Sequence, residues 1–158
     1  MKIITVILAA LVTGCAARAP TPVDQLGGRQ RWSAQDIVLV AVEDGGGRID
    51  TLEGWGGGVQ IATGAEWQKV FIGDATKDPV FTIDSTQLRN ELAGAGFVMR
   101  YRYTVTGRVV IGARAYTINA EGTRASAANM PAAMQEAIQL GIADASQKVQ
   151  AVMLRTKP

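Results

Sequence analysis

The chain contains no histidine and only one cysteine among its 158 residues. Without histidine there can be no Ser/His or Cys/His catalytic pair, no histidine ligand for zinc and no histidine general base. A single cysteine cannot form an intrachain disulfide, so packing alone must stabilise the fold. No block of like charge occurs and the formal net charge is +2, which argues against nucleic acid as a partner.

The glycine clusters and carboxylate pairs also fail to form a recognisable site. The clusters at 45–47 and 54–58 lack both the GK[ST] ending and the G-x-G-x-x-G spacing of phosphate-binding loops, so they are predicted to be ordinary loops. Glu43 with Asp44, and Asp74 with Asp78, could be proposed as acid/base pairs. Their neighbours are loop residues and glycines, which favours solvated turn carboxylates. We therefore predict no catalytic residue, no cofactor and no metal site, and a protein that is not an enzyme.

The N-terminus has the features of an export signal. Lys2 precedes an apolar run from Ile3 to Val12, which is too short to span a membrane. The following Val12-Thr13-Gly14-Cys15 resembles the bacterial lipobox, and that resemblance implies that Cys15 is the lipid attachment residue. In lipoproteins the residue after the cysteine influences sorting. Here it is Ala16 rather than Asp, which resembles the pattern of lipoproteins directed to the outer membrane. We predict a signal peptide at 1–14, a lipidated, flexible tether at 15–33 and a single periplasmic domain at 34–158.

The first half of the domain predicts strands and one short helix. Residues Asp36–Glu43 form a nearly continuous apolar, β-rich run, which predicts a central strand. Residues Glu66–Ile72 fit either a short strand or a helical turn. Asp84 or Ser85 can cap a helix in which Leu88 and Leu92, four residues apart, share one face.

The second half predicts a hairpin followed by a long helix. From Phe97 to Ile111 the sequence alternates between an apolar and a polar face, a turn follows at Gly112, and a second alternating strand runs from Arg114 to Arg124. Asn129 can cap the last helix, and Gly141 within its apolar stripe would permit close approach to a sheet. The predicted fold class is α+β: an antiparallel sheet of three to five strands packed against two helices.

Exposed arginines and tryptophans are the candidate partner surface. Arg100, Arg102 and Arg108 share one strand face, and Arg114 and Arg124 lie on the partner strand. Such a face could hold an anionic glycan, lipid headgroups or an acidic protein. It could equally be a solvated face whose arginine stems cover apolar surface.

A further set of candidates consists of the three tryptophans, Trp32, Trp55 and Trp67. Trp55, inside a glycine cluster, could anchor a partner or fold back onto the sheet.

The order of elements resembles that of the YajG-type lipoproteins and, more loosely, outer-membrane lipoproteins that assist transport systems or activate peptidoglycan synthases. The residues that carry this resemblance are Leu88, Leu92, Gly96 and Phe97, then 132–145. The resemblance implies a fold and a place in the cell envelope, and it assigns no catalytic residue. Two hypotheses follow. The anchor, the missing catalytic side chains and a compact domain with an exposed-looking loop predict an accessory or structural component of an envelope assembly for secretion, conjugation or transport. The arginine face and the loop tryptophans instead predict a module that binds peptidoglycan or another glycan and could regulate cell-wall synthesis.

Overall fold

The structure is a computed structural model, and it describes residues 21–22, 38–46, 51–53, 60–94 and 96–156. The elements in chain order are β1 (Thr21–Pro22), β2 (Ala41–Asp44), β3 (Thr51–Glu53), β4 (Gln60–Ala62), α1 (Gly64–Val70), β5 (Val80–Leu92), β6 (Met99–Ile111), β7 (Arg114–Ser126) and α2 (Met130–Thr156). Neither helix among these residues is both long enough and apolar enough to cross a membrane.

The strands form a four-stranded sheet in the order β2-β5-β6-β7 and a small sheet in the order β1-β4-β3. The predicted α+β class is confirmed, with two helices and four strands in the main sheet. That sheet is mixed, because β2 runs parallel to β5 while β5, β6 and β7 are antiparallel. Strand β1, which pairs with β4, lies within residues 15–33, the region predicted to be a tether.

The helix predicted after Asp84 is wrong, because these residues form β5. Leu88 pairs with Tyr103 and Leu92 with Met99 along an unbroken antiparallel ladder that resumes after a register shift at Asp84. A spacing of four residues places two side chains on one face in a strand as well as in a helix, so the leucine spacing could not separate the two. Pairing with β6 decides in favour of the strand. Phe97 lies in the connection, and β6 begins only at Met99.

The predicted central strand at Asp36–Glu43 is an edge strand. Only Ala41–Asp44 pairs with β5, and Val38 forms a single parallel bridge to Phe71. Residues 36 and 37 lie outside the described part of the chain. Of the two alternatives for Glu66–Ile72, the structure selects the helical one, α1.

The hairpin and the last helix are confirmed. Residues of β6 alternate between buried and exposed along the strand. The Asn129 Oδ1 atom accepts a hydrogen bond from the Ala132 N–H at 3.1 Å, which caps α2 as predicted. The predicted apolar stripe faces the sheet, where Ile138, Ala145 and Val149 are fully buried.

The core lies between the helices and one face of the main sheet. Trp67, Phe71 and Phe81 form an aromatic cluster with ring centroids 5.5–6.2 Å apart. Gly141 of α2 lies directly against Gly122 of β7, and a Cβ on either residue would overlap its neighbours. This contact confirms the predicted close approach of the last helix to the sheet.

The outer edge of β7 is covered at its centre by two side chains of α2. The Asp144 carboxylate accepts a hydrogen bond from the Glu121 N–H at 2.9 Å, and the Lys148 ammonium group donates to the Asn119 carbonyl at 2.7 Å. These backbone groups point away from β6 and would otherwise be available to another strand. The Asp144–Lys148 pair therefore limits extension of the sheet at this edge.

Candidate interaction surfaces

The face of the main sheet opposite α2 is polar and exposed. Arg100, Arg102 and Arg108 all project from it, as the alternation of β6 predicts. Each forms an ion pair with a carboxylate on the same face. The N···O distances are 3.1 Å for Arg100–Glu91, 3.3 Å for Arg102–Glu121, and 3.4 Å for Arg108–Asp84.

These ion pairs reduce the net positive charge of the face. Both partners of each pair are about half-exposed, so each pair contributes little to stability. A bound anion would compete with the carboxylates for the same guanidinium groups. The arrangement therefore supports a solvated polar face at least as well as it supports an anion-binding one.

Arg114 and Arg124 do not belong to this face. In the β6–β7 register Arg114 is opposite Ile111 and Arg124 is opposite Tyr101, which places both on the side covered by α2. Arg124 is paired there with Glu136 of α2 at 2.5 Å. The prediction that all five arginines could form one surface is wrong, because residues of even number in β7 face the opposite way from residues of even number in β6.

An apolar groove lies at the edge of the sheet, between the segment before β2 and the end of α2. It has a volume of about 310 Å³ and is lined by Val38, Leu39, Val40, Gln150, Met153 and Leu154. Leu39 and Leu154 are 65% and 75% exposed, and the neighbouring Ile72 is also exposed. Clustered exposed aliphatic side chains beside a groove are typical of a protein–protein contact. We call these residues the edge groove.

A buried polar cluster joins α1, α2 and β6. The Gln139 amide donates to the Glu66 carboxylate at 3.0 Å, and Lys69 covers the same carboxylate from the surface. The Tyr103 hydroxyl and the Trp67 indole nitrogen are buried without a hydrogen bond of good geometry. Burial raises the pKa of Tyr103. The cluster has no opening among the described cavities, so it contributes to the interior and not to a surface.

The carboxylates considered in the sequence are exposed or half-buried: Asp74 and Asp78 flank a turn, whereas Glu43 and Asp44 end β2. The Asp74 carboxylate accepts hydrogen bonds from the backbone N–H and the hydroxyl of Thr76, and these bonds hold the pKa of Asp74 below its usual value. Asp78 accepts a hydrogen bond from the Asp74 N–H, and Asp44 accepts one from the Gly46 N–H. Within the described ranges, no group of three or more Asp, Glu, Cys or His side chains is placed to hold a metal ion.

Several predicted residues fall outside the described part of the chain. These are the lipid attachment residue Cys15 and the candidate anchors Trp32 and Trp55. Trp67 is described, and it is a fully buried core residue rather than an exposed anchor. The residues of the edge groove were missed, because Leu39 lies in a uniformly apolar run and only the tertiary structure shows that it faces solvent.

Comparison with known proteins adds a distant likeness in fold. No protein-family model and no curated protein matches the chain. The fold is similar to a crystal structure from Caulobacter crescentus CB15 described as a "putative lipoprotein", with a TM-score of 0.45 and 13% sequence identity over 76% of this chain and 93% of that one.

Proposed function

We propose that this protein is a non-enzymatic lipoprotein of the outer membrane, anchored through Cys15 with its domain in the periplasm. In this proposal it is an accessory or structural component of an envelope assembly for secretion, conjugation or transport. The signal segment and lipobox-like residues support the anchor. The absence of histidine from the sequence supports a role in binding rather than catalysis.

The edge groove is the observation that carries the proposal of a protein partner. Leu39 and Leu154 are large aliphatic side chains that remain exposed beside a groove. Among the described residues that line it, Gln150 is the polar one. Burying two such side chains against a partner would contribute about 1.5–3 kcal/mol each. The expected occupant is an apolar segment of a partner protein.

Site-specific crosslinking in cells tests this contact. A photoreactive amino acid at Leu154 should give a discrete adduct with an envelope protein, and Leu39→Asp in the same chain should abolish that adduct. The control is the same photoreactive residue at Thr123, an exposed position of β7 on the polar face of the main sheet, away from the groove. Equal adducts from the two positions, or none from Leu154, would exclude the edge groove as the contact.

The anchor has its own test. Metabolic labelling with palmitate should label the native chain, and Cys15→Ser should remove both the label and the membrane association. A native chain that incorporates no palmitate would contradict the lipoprotein proposal, whatever the crosslinking result.

The second candidate function is binding of peptidoglycan or another envelope glycan. The exposed polar face with Arg100, Arg102 and Arg108 favours it, because guanidinium groups on a flat sheet can contact anionic or polar sugars. Sedimentation with purified sacculi tests it. Binding that is lost with Arg100→Ala and Arg102→Ala together would support it, and no sedimentation would exclude it.

A further inference from the structure

We propose that the connection between β5 and β6 inserts into the interfacial layer of a phospholipid bilayer. We define the hairpin tip as the described residues 92–94 and 96–99. The inference rests on the proposed function only in that the anchor at Cys15 would bring the domain to a bilayer. The tip itself is argued from its exposure, its charge distribution and its position in the fold.

The tip is apolar and exposed. Phe97 is 94% exposed and Leu92 is 68% exposed, whereas large apolar side chains of a domain this size usually pack into the core. No residue from Leu92 to Met99 carries a charge. The Ala93 N–H donates a hydrogen bond to the Val98 carbonyl at 2.8 Å, which joins the two described sides of the connection next to the apolar side chains.

The tip lies beyond the layer of helices. Leu88 lies four residues before the end of β5, Tyr101 lies two residues after the start of β6, and both are buried. Leu92, on the same face of the sheet at the end of β5, is exposed. The start of α2 is at this end, since Ser126 pairs with Met99, and its first residue, Met130, is half-exposed. Several apolar side chains therefore project from one end of the molecule.

Basic side chains stand directly behind the apolar tip. The strand pair nearest the tip on the polar face is Glu91 with Arg100, and the next is Arg89 with Arg102. These two pairs present three guanidinium groups and one carboxylate, and the Glu121 carboxylate of β7 also pairs with Arg102 at 3.3 Å. Three positive charges against two negative ones leave the cluster with a net positive charge. Arginine can keep its charged end among headgroups while its stem lies along apolar surface, and anionic headgroups attract such clusters. An apolar tip with a basic collar fits a lipid surface better than it fits a second apolar protein surface.

The predicted anchor would keep the domain close to the bilayer. Thr21, where β1 pairs with β4, follows Cys15 by six positions, and this length of chain can span at most about 20 Å. An acyl chain on Cys15 would thus hold the domain within a short distance of the membrane. The bilayer would then be available to the tip at high local concentration.

Insertion of the tip would also orient the edge groove. The tip and the edge groove lie at opposite ends of the sheet, and β6 alone spans about 40 Å. With the tip in the headgroup layer, the edge groove would face away from the membrane. The same domain could then contact lipid at one end and an envelope protein at the other.

A fluorescent label at the tip tests the inference on the full-length acylated protein. We would introduce Ala93→Cys, label the thiol with an environment-sensitive nitrobenzoxadiazole group, and reconstitute the protein into phosphatidylcholine vesicles with and without phosphatidylglycerol. The matched control is Ala113→Cys, in the β6–β7 turn at the other end of β6. Acylation blocks the thiol of Cys15, so the native chain should take no label.

The expected result is a blue-shifted emission of the Ala93→Cys label that brominated lipids quench, stronger with phosphatidylglycerol, and no change for the Ala113→Cys label. Phe97→Ser should lower the ratio of inserted to free tip labels at least about tenfold, because a phenyl ring is no longer transferred into lipid. Val110→Ser, at an exposed apolar residue near the other turn, should leave that ratio unchanged.

Other outcomes would overturn the inference. An anchored protein whose tip label is neither shifted nor quenched excludes insertion while leaving the lipoprotein proposal intact. Equal shifts at both labels indicate non-specific adsorption. A shift that appears without vesicles and grows with protein concentration assigns the tip to contact with a second copy. If the native chain takes up label, Cys15 is unmodified and the lipoprotein proposal fails, and the tip is then measured in the Cys15→Ser chain.

Discussion

The contact between Gly122 and Gly141 gives the sharpest test of how α2 is held on the sheet. A Cβ added at Gly122 would fall far inside van der Waals contact of the Ala137 carbonyl oxygen and the Gly141 nitrogen. Both are backbone atoms of α2, so no side-chain rotation can relieve the overlap. In Gly122→Ala the helix must move away from β7 by about 1 Å, which separates apolar groups along the whole interface.

We expect Gly122→Ala to lower the free energy of unfolding by about 3 kcal/mol, the upper part of the range for overpacked cores. For a domain of this size this corresponds to a decrease in Tm of about 10–15 °C. The partner substitution Gly141→Ala should cost less. Its Cβ would lie 2.7 Å from the Tyr103 ring and 3.2 Å from the Gly122 nitrogen, and the helix gains about 1 kcal/mol from alanine.

Urea unfolding followed by circular dichroism measures these differences. Ala125→Val, which adds side-chain atoms on the exposed side of the same strand, is the control and should stay within about 0.5 kcal/mol of the native chain. If Gly122→Ala is as stable as Ala125→Val, the helix does not approach β7 as closely as the structure shows, and the reasoning is refuted.

Three other variants test separate features. Asn129→Ala removes the cap of α2 and should lower the free energy of unfolding by about 1 kcal/mol in urea titrations. Because burial raises the pKa of Tyr103, its phenol ionises only in the unfolded chain above about pH 10, so stability should fall there as pH rises. Tyr103→Phe should reduce that fall between about pH 10 and pH 11. It should be nearly neutral at pH 7, since the Tyr103 hydroxyl makes no hydrogen bond of good geometry, and an unchanged pH dependence would count against this explanation. Replacing Asp144 and Lys148 together by alanine exposes the edge of β7 and should increase self-association in sedimentation velocity, whereas Gln147→Ala should not.

The sequence predicted the elements whose periodicity is sustained. The alternation along β6 continues for 13 residues, and the apolar stripe of α2 continues over several turns with Asn129 at its start. Over such lengths the period-2 and period-3.6 patterns diverge clearly. Gly141 could be assigned a packing role for the same reason, because it lies within a sustained apolar stripe.

Short or uniformly apolar segments gave the wrong element or the wrong position. Leu88 and Leu92 satisfy both helical and strand spacing, and only pairing with β6 makes them part of a strand. Residues 37–42 are all apolar, so the sequence gives no sign of which side chains face solvent. It could not show that this segment lies at the edge of the main sheet or that Leu39 is exposed. Both outcomes depend on partners that are distant in the chain.

The sequence by itself determined that this chain cannot use histidine or a disulfide, that Cys15 follows an export-like segment, and that a hairpin precedes a long amphipathic helix. These are properties of composition and local period. The tertiary structure alone decided which strand lies at the edge, which arginines share a face and are already paired with carboxylates, and where apolar residues stay exposed. The register of the strands determines on which side of the sheet each side chain lies. Whether that side chain is exposed then depends on how far the helices extend over the sheet. The positions of the edge groove and the hairpin tip therefore follow only from the paired strands.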